Sequence, residues 1–290
     1  MRNDTDHPAS GLPVAWWRPA AGALAVAALL STVVVRAQSP QPPPAVAQPP
    51  AAKSPAPAAG KAQPSSVLPA ARAVIDRHIE AIGGRKAVLG HSSTHASGTM
   101  AMPSSGVSGS VDVYAARPNK SLIRISLGGI GEVLEGFDGT VGWSLSAITG
   151  PMLTLGRELD QKKFDAAYDA DLHDTARYKS MRTVEQTTFE GRPCYKVSLI
   201  HLDGTEDVEF YDVETRFRVA TVATRESPMG PVKVTLSYSD YKKYGDLFVP
   251  TTMKQATMGV QQVLTFTAVE FDKVAPSVFE PPPAIKALIK

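Results

Sequence analysis

From Val107 to Phe271 the chain repeatedly alternates apolar and polar residues with a period of two. Val107–Ala116 places Val111, Val113 and Ala115 on one side. Ser121–Leu127 sets Ile123, Ile125 and Leu127 opposite Arg124. Such alternation predicts strands buried on one face only. Turn residues at Pro118-Asn119 and Asp138-Gly139 separate these strands from Glu132–Phe137 and Gly142–Ser146. Further on, strands are expected at Met181–Phe189, Pro193–His201, Glu206–Tyr211, Phe217–Arg225, Val232–Tyr241, Phe248–Thr257 and Gln261–Phe271. Tyr195, Val197 and Leu199 share one face of their strand, and Val234, Leu236 and Tyr238 share one face of theirs.

Two stretches follow the helical period instead. Pro69–Ile82 gathers Val74, Ile75, Ile79 and Ile82 mainly on one side and stops at Gly83-Gly84. Arg157–Ala170 has Leu159, Phe164, Ala167 and Tyr168 as its apolar positions. About eleven antiparallel strands with few helices make a mainly β (α+β) domain over residues 70–290. Twist accumulates from strand to strand, so a sheet of this length curls, and the helices are left to cover its concave face.

The N-terminal part has a different texture. Pro19–Val35 is a 17-residue run without charge, flanked by Arg18 and Arg36. It reads as a secretory signal within residues 1–37 or as a retained membrane anchor, and both place the body across the inner membrane. Residues 38–69 contain 18 Pro or Ala among 32 and no aromatic, a disordered or polyproline-like linker. The body is then periplasmic or secreted, with residues 19–35 as a tether if they remain.

Charge narrows the function classes. The net charge is +2, but residues 1–69 carry five Lys/Arg against two acids, leaving about −1 for the body. A body without excess positive charge has no face for nucleic acid. Cys194 is the single cysteine, so a disulfide framework and a four-cysteine zinc site are excluded.

A set of turn motifs then carries a resemblance. The helix ends Ala81-Ile82-Gly83-Gly84 and a strand begins Gly98-Thr99-Met100. Val113-Tyr114 is followed by Arg117-Pro118-Asn119-Lys120, and then by Glu135-Gly136-Phe137-Asp138-Gly139-Thr140-Val141-Gly142-Trp143. This order resembles the LolA/LolB-like superfamily of periplasmic lipoprotein and lipid carriers, in its outer-membrane lipoprotein-sorting-like branch. The resemblance implies an unclosed half-barrel, with helices as a lid over an apolar cavity for acyl chains. Its partners would be a lipid or an acylated lipoprotein, and an inner- or outer-membrane partner protein.

Candidate site residues are accordingly the inward-capable apolar ones. The early strands offer Met100, Met102, Val111, Val113, Ile123 and Ile125, with Leu134 and Trp143 after them. Tyr195, Val197, Leu199, Val234, Leu236 and Phe266 come from the later strands. Methionine suits a wall that accepts varied apolar ligands, and Trp143 beside its turn suits the cavity mouth. Leu159, Phe164 and Tyr168 would form the lid, hinged at Gly128–Gly131.

Other constellations carry less. His91 and His95 have the i, i+4 spacing of a metal pair, but in a strand residues four apart stand over about 13 Å from each other. Asp169–Asp174 reads as an exposed acidic loop after the second helix. Ser104, Ser105 and Cys194 lack the surroundings of a nucleophile. Neither catalysis, a resident metal nor a cofactor is expected. A tethered protein-interaction or sensor module on the same scaffold is the alternative to a carrier.

Overall fold

Residues 67–227 and 229–289 are described in the structure, a computed structural model. The signal or anchor and nearly all of the Pro/Ala linker lie outside the described residues. Helices α1 (Ala71–Ala81) and α2 (Arg85–Gly90) lead into β1 (Ser93–Met102), β2 (Val107–Ala116), β3 (Lys120–Leu127), β4 (Gly131–Phe137), β5 (Gly142–Ser146) and β6 (Gly150–Thr154). Helix α3 (Gly156–Asp165) and two short 3-10 turns lead to β7 (Tyr178–Phe189). Then come β8 (Arg192–His201), β9 (Glu206–Asp212), β10 (Arg218–Arg225), β11 (Val232–Tyr244), β12 (Leu247–Thr257) and β13 (Val260–Phe271). A last short helix, α4, is Pro283–Lys286.

All thirteen strands form one antiparallel sheet in the order β6-β5-β4-β3-β2-β1-β13-β12-β11-β10-β9-β8-β7. Neighbours in space are neighbours in sequence except at one seam, where β1 pairs with β13. Strands β6 and β7 are the two free edges, so the sheet does not close. This is the mainly β, unclosed architecture expected, with more strands. The excess comes from β1, marked in the sequence only by Gly98-Thr99-Met100, and from β6, whose Gly150-Pro151 start reads locally as a break before a helix. Helix α3 also ends at Asp165 rather than Ala170, and Ala170–Leu172 is a 3-10 turn.

The curl can be deduced from contacts. Lys162 of α3 pairs with Glu135 of β4, while Asp165, one turn on, pairs with Arg225 of β10. Those strands are seven steps apart in the sheet, about 33 Å if it were flat. Two side chains within about 5 Å along a helix span that gap only because the sheet curls round them.

The main core lies inside the curl. It joins α1 (Val74, Ile75, Ile79) to inward residues of the strands such as Met100, Val111, Val197 and Leu264. A second, smaller cluster lies on the outer face, where Phe279 and Ile285 of the C-terminal segment cover Leu122 and Trp143.

Candidate functional site

The inner face divides into two halves of different chemistry. No buried residue of β1–β3 or β11–β13 is charged. This uncharged half brings together Met100, Met102, Val111, Ile123, Ile125, Val234, Leu236 and Phe266, each less than 9% exposed. Val113 packs against them half-buried. Val197 and Leu199 of β8 are fully buried in the same core, and Tyr195 packs at its margin. At the end of the curl away from α1, the half-buried Val107, Ile130, Val232 and Val260 form an apolar rim. The exposed Met229 and Met258 lie in the loops of that end.

Two of the expected wall residues lie elsewhere. In the β4–β5 ladder Glu135 pairs with Ser144 and Phe137 with Gly142, while Leu134 and Trp143 occupy the alternate positions. Glu135 points inward to Lys162, so Leu134 and Trp143 point outward. Trp143 is therefore not at a cavity mouth. Its indole lies against Gly136, where any β-carbon would collide with its Cζ2, and the C-terminal segment seals it.

The other half of the inner face is charged, and a strap of residues 155–177 crosses it. Lys162 and Glu135 are both buried and ion-paired. Asp165 meets Arg225 at 3.3 Å, and Arg225 also holds Asp207 at 2.8 Å. Asp169 meets Arg117 at 3.0 Å, Asp171 meets Arg218 at 2.7 Å, and His173 Nε2 lies 2.8 Å from Glu209. Backbone carbonyls of Leu172 and His173 accept from Arg72 of α1. The acidic run after the helix is thus not an exposed loop: Asp169, Asp171 and His173 are buried because distant arginines and a glutamate receive them.

Removing one partner of a buried pair costs about 3–5 kcal/mol, so a strap held at five points does not swing as a unit. Of the expected lid residues, Tyr168 is fully buried and shares a 2.9 Å hydrogen bond with Thr94. Phe164 lies under the Arg177 guanidinium, 3.9 Å from its ring centre, and packs on Tyr178 and His201. Leu159 is half-buried against Gly142, whose missing side chain makes room for it and for Lys162. Gly128–Gly131 forms the tight β3–β4 connection.

Deep in the charged half the groups set one another's protonation. Burial, then the nearby Arg218, lowers the His78 pKa to about 3, so its imidazole is neutral. Its Nδ1 accepts the Arg218 backbone N–H at 3.2 Å. Burial opposes ionisation of Asp171, but attraction to Arg218 outweighs it and holds the carboxyl below its usual range. Tyr211 donates to Glu209 at 2.5 Å, and Tyr241 donates to the Arg218 carbonyl at 2.8 Å.

Under α1 the spaces are small. A cavity of about 20 Å³ lined by His78, Ile82, Arg218, Tyr241 and Leu247 holds about one water. Recesses of about 140 and 230 Å³ lie beside Arg77 and Tyr195 and beside Arg192 and Ser237. Ligand pockets run to roughly 300–1,000 Å³, so each of these three spaces is smaller than a drug-sized ligand needs.

Remaining candidates are engaged locally. His91 lies between Asp272 and Asp246 at 2.7 and 2.8 Å, and His95 stacks on Tyr114 and meets Asp112 at 2.7 Å. Cys194 is buried, and burial raises its thiol pKa.

No family model matches the chain, and no curated protein matches its sequence. Solved structures do. A DUF1329 family protein from Desulfovibrio piger is 15% identical, with 72% of this chain and 97% of that one covered and a TM-score of 0.52. A LolA superfamily protein from Nitrosomonas europaea is 14% identical, with 74% and 99% covered and a TM-score of 0.49. An outer membrane lipoprotein-sorting protein domain from Vibrio parahaemolyticus is 15% identical, with 71% and 94% covered and a TM-score of 0.47. LolA-superfamily and lipoprotein-sorting structures stand among these neighbours. At these identities the likeness is one of fold.

Proposed function

We propose that this chain is an envelope-facing binding protein that shelters a lipid, or the acyl chains of a lipoprotein, against the uncharged half of its inner face. The observation that carries this reading is the division of that face. Six strands bury no charge, while the ion pairs gather where the strap crosses. An acyl chain needs an uncharged wall, and this half of the inner face offers one. Uptake is driven by burial of apolar area, at roughly 25 cal/mol per Å², without covalent chemistry. The fastened strap directs entry to the rim of Val107, Ile130, Val232 and Val260, which parts while the strap stays in place.

A second reading draws on the small size of the cavity under α1. A tethered interaction module would keep its interior packed and offer a free edge, β6 or β7, to a partner chain. One experiment separates the two. The full chain is purified from an envelope-bearing host, weighed by native mass spectrometry and extracted with organic solvent. A stoichiometric acyl adduct is expected. An apo mass that is unchanged after exposure to detergent-solubilised phospholipid overturns the carrier reading in favour of the module.

A further inference from the structure

One cross-strand row runs unbroken round the inner wall from β7 to β13. Its successive partners are Thr183, Val197, Glu209, Thr221, Leu236, Gln255 and Gln262. In the uncharged half the row ends on two glutamines directly opposite each other. The next row toward the rim pairs Val234 with Thr257 and Thr257 with Val260. The row on the other side pairs Tyr238 with Met253 and Met253 with Leu264.

Gln255, Thr257 and Gln262 are 5%, 5% and 2% exposed. The Gln255 Nε2, Gln262 Nε2 and Thr257 Oγ1 atoms are buried without a hydrogen-bond partner. Leaving a buried donor unsatisfied costs about 1–3 kcal/mol each. Leucine or valine would fit the same strand positions at no such cost. Three orphaned donors on two adjacent strands, framed by Leu236, Met253 and Leu264, match the make-up of a ligand site: an apolar wall with a few placed polar groups.

We infer that Gln255, Gln262 and Thr257 are the polar anchor of the ligand site, donating hydrogen bonds to the two oxygens of an acyl ester, the two glutamines to its carbonyl oxygen. The inference rests on the carrier reading. It names a neutral acceptor because no cation is buried on these six strands, and a carboxylate or phosphate there would be an unpaired buried charge. Thr257 lies in the row of the rim residue Val260, and the two glutamines lie one row further in, with rows about 7 Å apart. The ester thus sits just inside the entrance, and the hydrocarbon runs on past Met253 and Leu264 toward Met100 and Phe266.

The test compares methyl palmitate with n-octadecane, each presented to the full chain from methyl-β-cyclodextrin. Retained probe is measured by gas chromatography after gel filtration. The wild type retains the ester at least about tenfold better than the alkane, the equivalent of two ordinary hydrogen bonds. The double variant Gln255→Leu/Gln262→Leu keeps alkane binding and loses the ester preference to within about twofold. Gln255→Met/Gln262→Met, closer to glutamine in shape, gives the same result should the leucines disturb folding. Equal retention of the two probes by the wild type, or a preference that survives both double variants, overturns the anchor and leaves the carrier standing. Retention of neither probe by the wild type overturns both.

Discussion

At the scale of single residues, His78 shows how burial turns an ordinary side chain into a pH-sensitive one. Folded, it binds a proton only near pH 3, whereas unfolded it does so near 6.5. Between those values the unfolded chain holds the extra proton, so this contribution to stability is full above pH 6.5 and is lost as pH falls. By pH 5.5 the loss is about 1.4 kcal/mol. Thermal unfolding followed from pH 7 to 5 should show a falling Tm. His78→Asn, which keeps an acceptor for the Arg218 N–H, should flatten that slope; an unchanged slope would assign the acid sensitivity elsewhere. Asp171 acts at lower pH, since its depressed pKa is lost as stability only on acidification below the ordinary carboxylate range. None of this was legible in the sequence. Asp169–Asp174 carries no mark of burial, because its partners Arg117, Glu209 and Arg218 come from distant strands.

Elements were more legible than their faces. Alternation located most strands to within a few residues, because one face of each strand is dry and the other wet. It failed at β6, where Met152 is exposed and Leu153 packs on the outer cluster, so the usual inward pattern is missing. It also misplaced Trp143, since the local pattern of β5 does not tell the inner face from an outer face that has its own cover. Two predictions follow from these elements. Lys162→Met strands the buried Glu135 carboxylate and should cost about 3–5 kcal/mol in urea unfolding. The double variant Lys162→Met/Glu135→Gln should recover part of it; a simple sum of the two single losses would show that the pair does not fasten the strap. The tail is tested by light. Trp143 is the only tryptophan after Trp17, and it is 1% exposed beneath Phe279 and Ile285. A chain starting at Val67 and ending at Val274 should show red-shifted, iodide-quenchable emission, whereas the chain starting at Val67 and retaining its tail should not.

At the scale of the whole molecule, the seam between β1 and β13 dominates. Thr94 pairs with Phe271, so the middle of the sheet waits for the two ends of the body to meet. Closing so long a loop before its contacts form is slow, and refolding after dilution from urea should take milliseconds to seconds, not microseconds. Stopped-flow fluorescence of Trp143, in the chain starting at Val67, follows its burial beneath the segment after β13, and a complete microsecond phase would contradict slow closure. The resemblance drawn from turn residues anticipated the half-barrel, because those turns are what the fold repeats. It did not anticipate the ion pairs that fasten the strap, since these join side chains brought together by the curl. The same seam has a genetic consequence. With the sheet's free edges in mid-sequence, one meander ends at Thr154 and the other begins at Tyr178, and the strap is the only covalent link between them. A gene broken within the strap would encode two halves whose inner borders, β1 and β13, are complementary templates for each other. The molecule is thus already laid out as a split protein, and co-expressing residues 67–166 with 167–289 should restore the sheet.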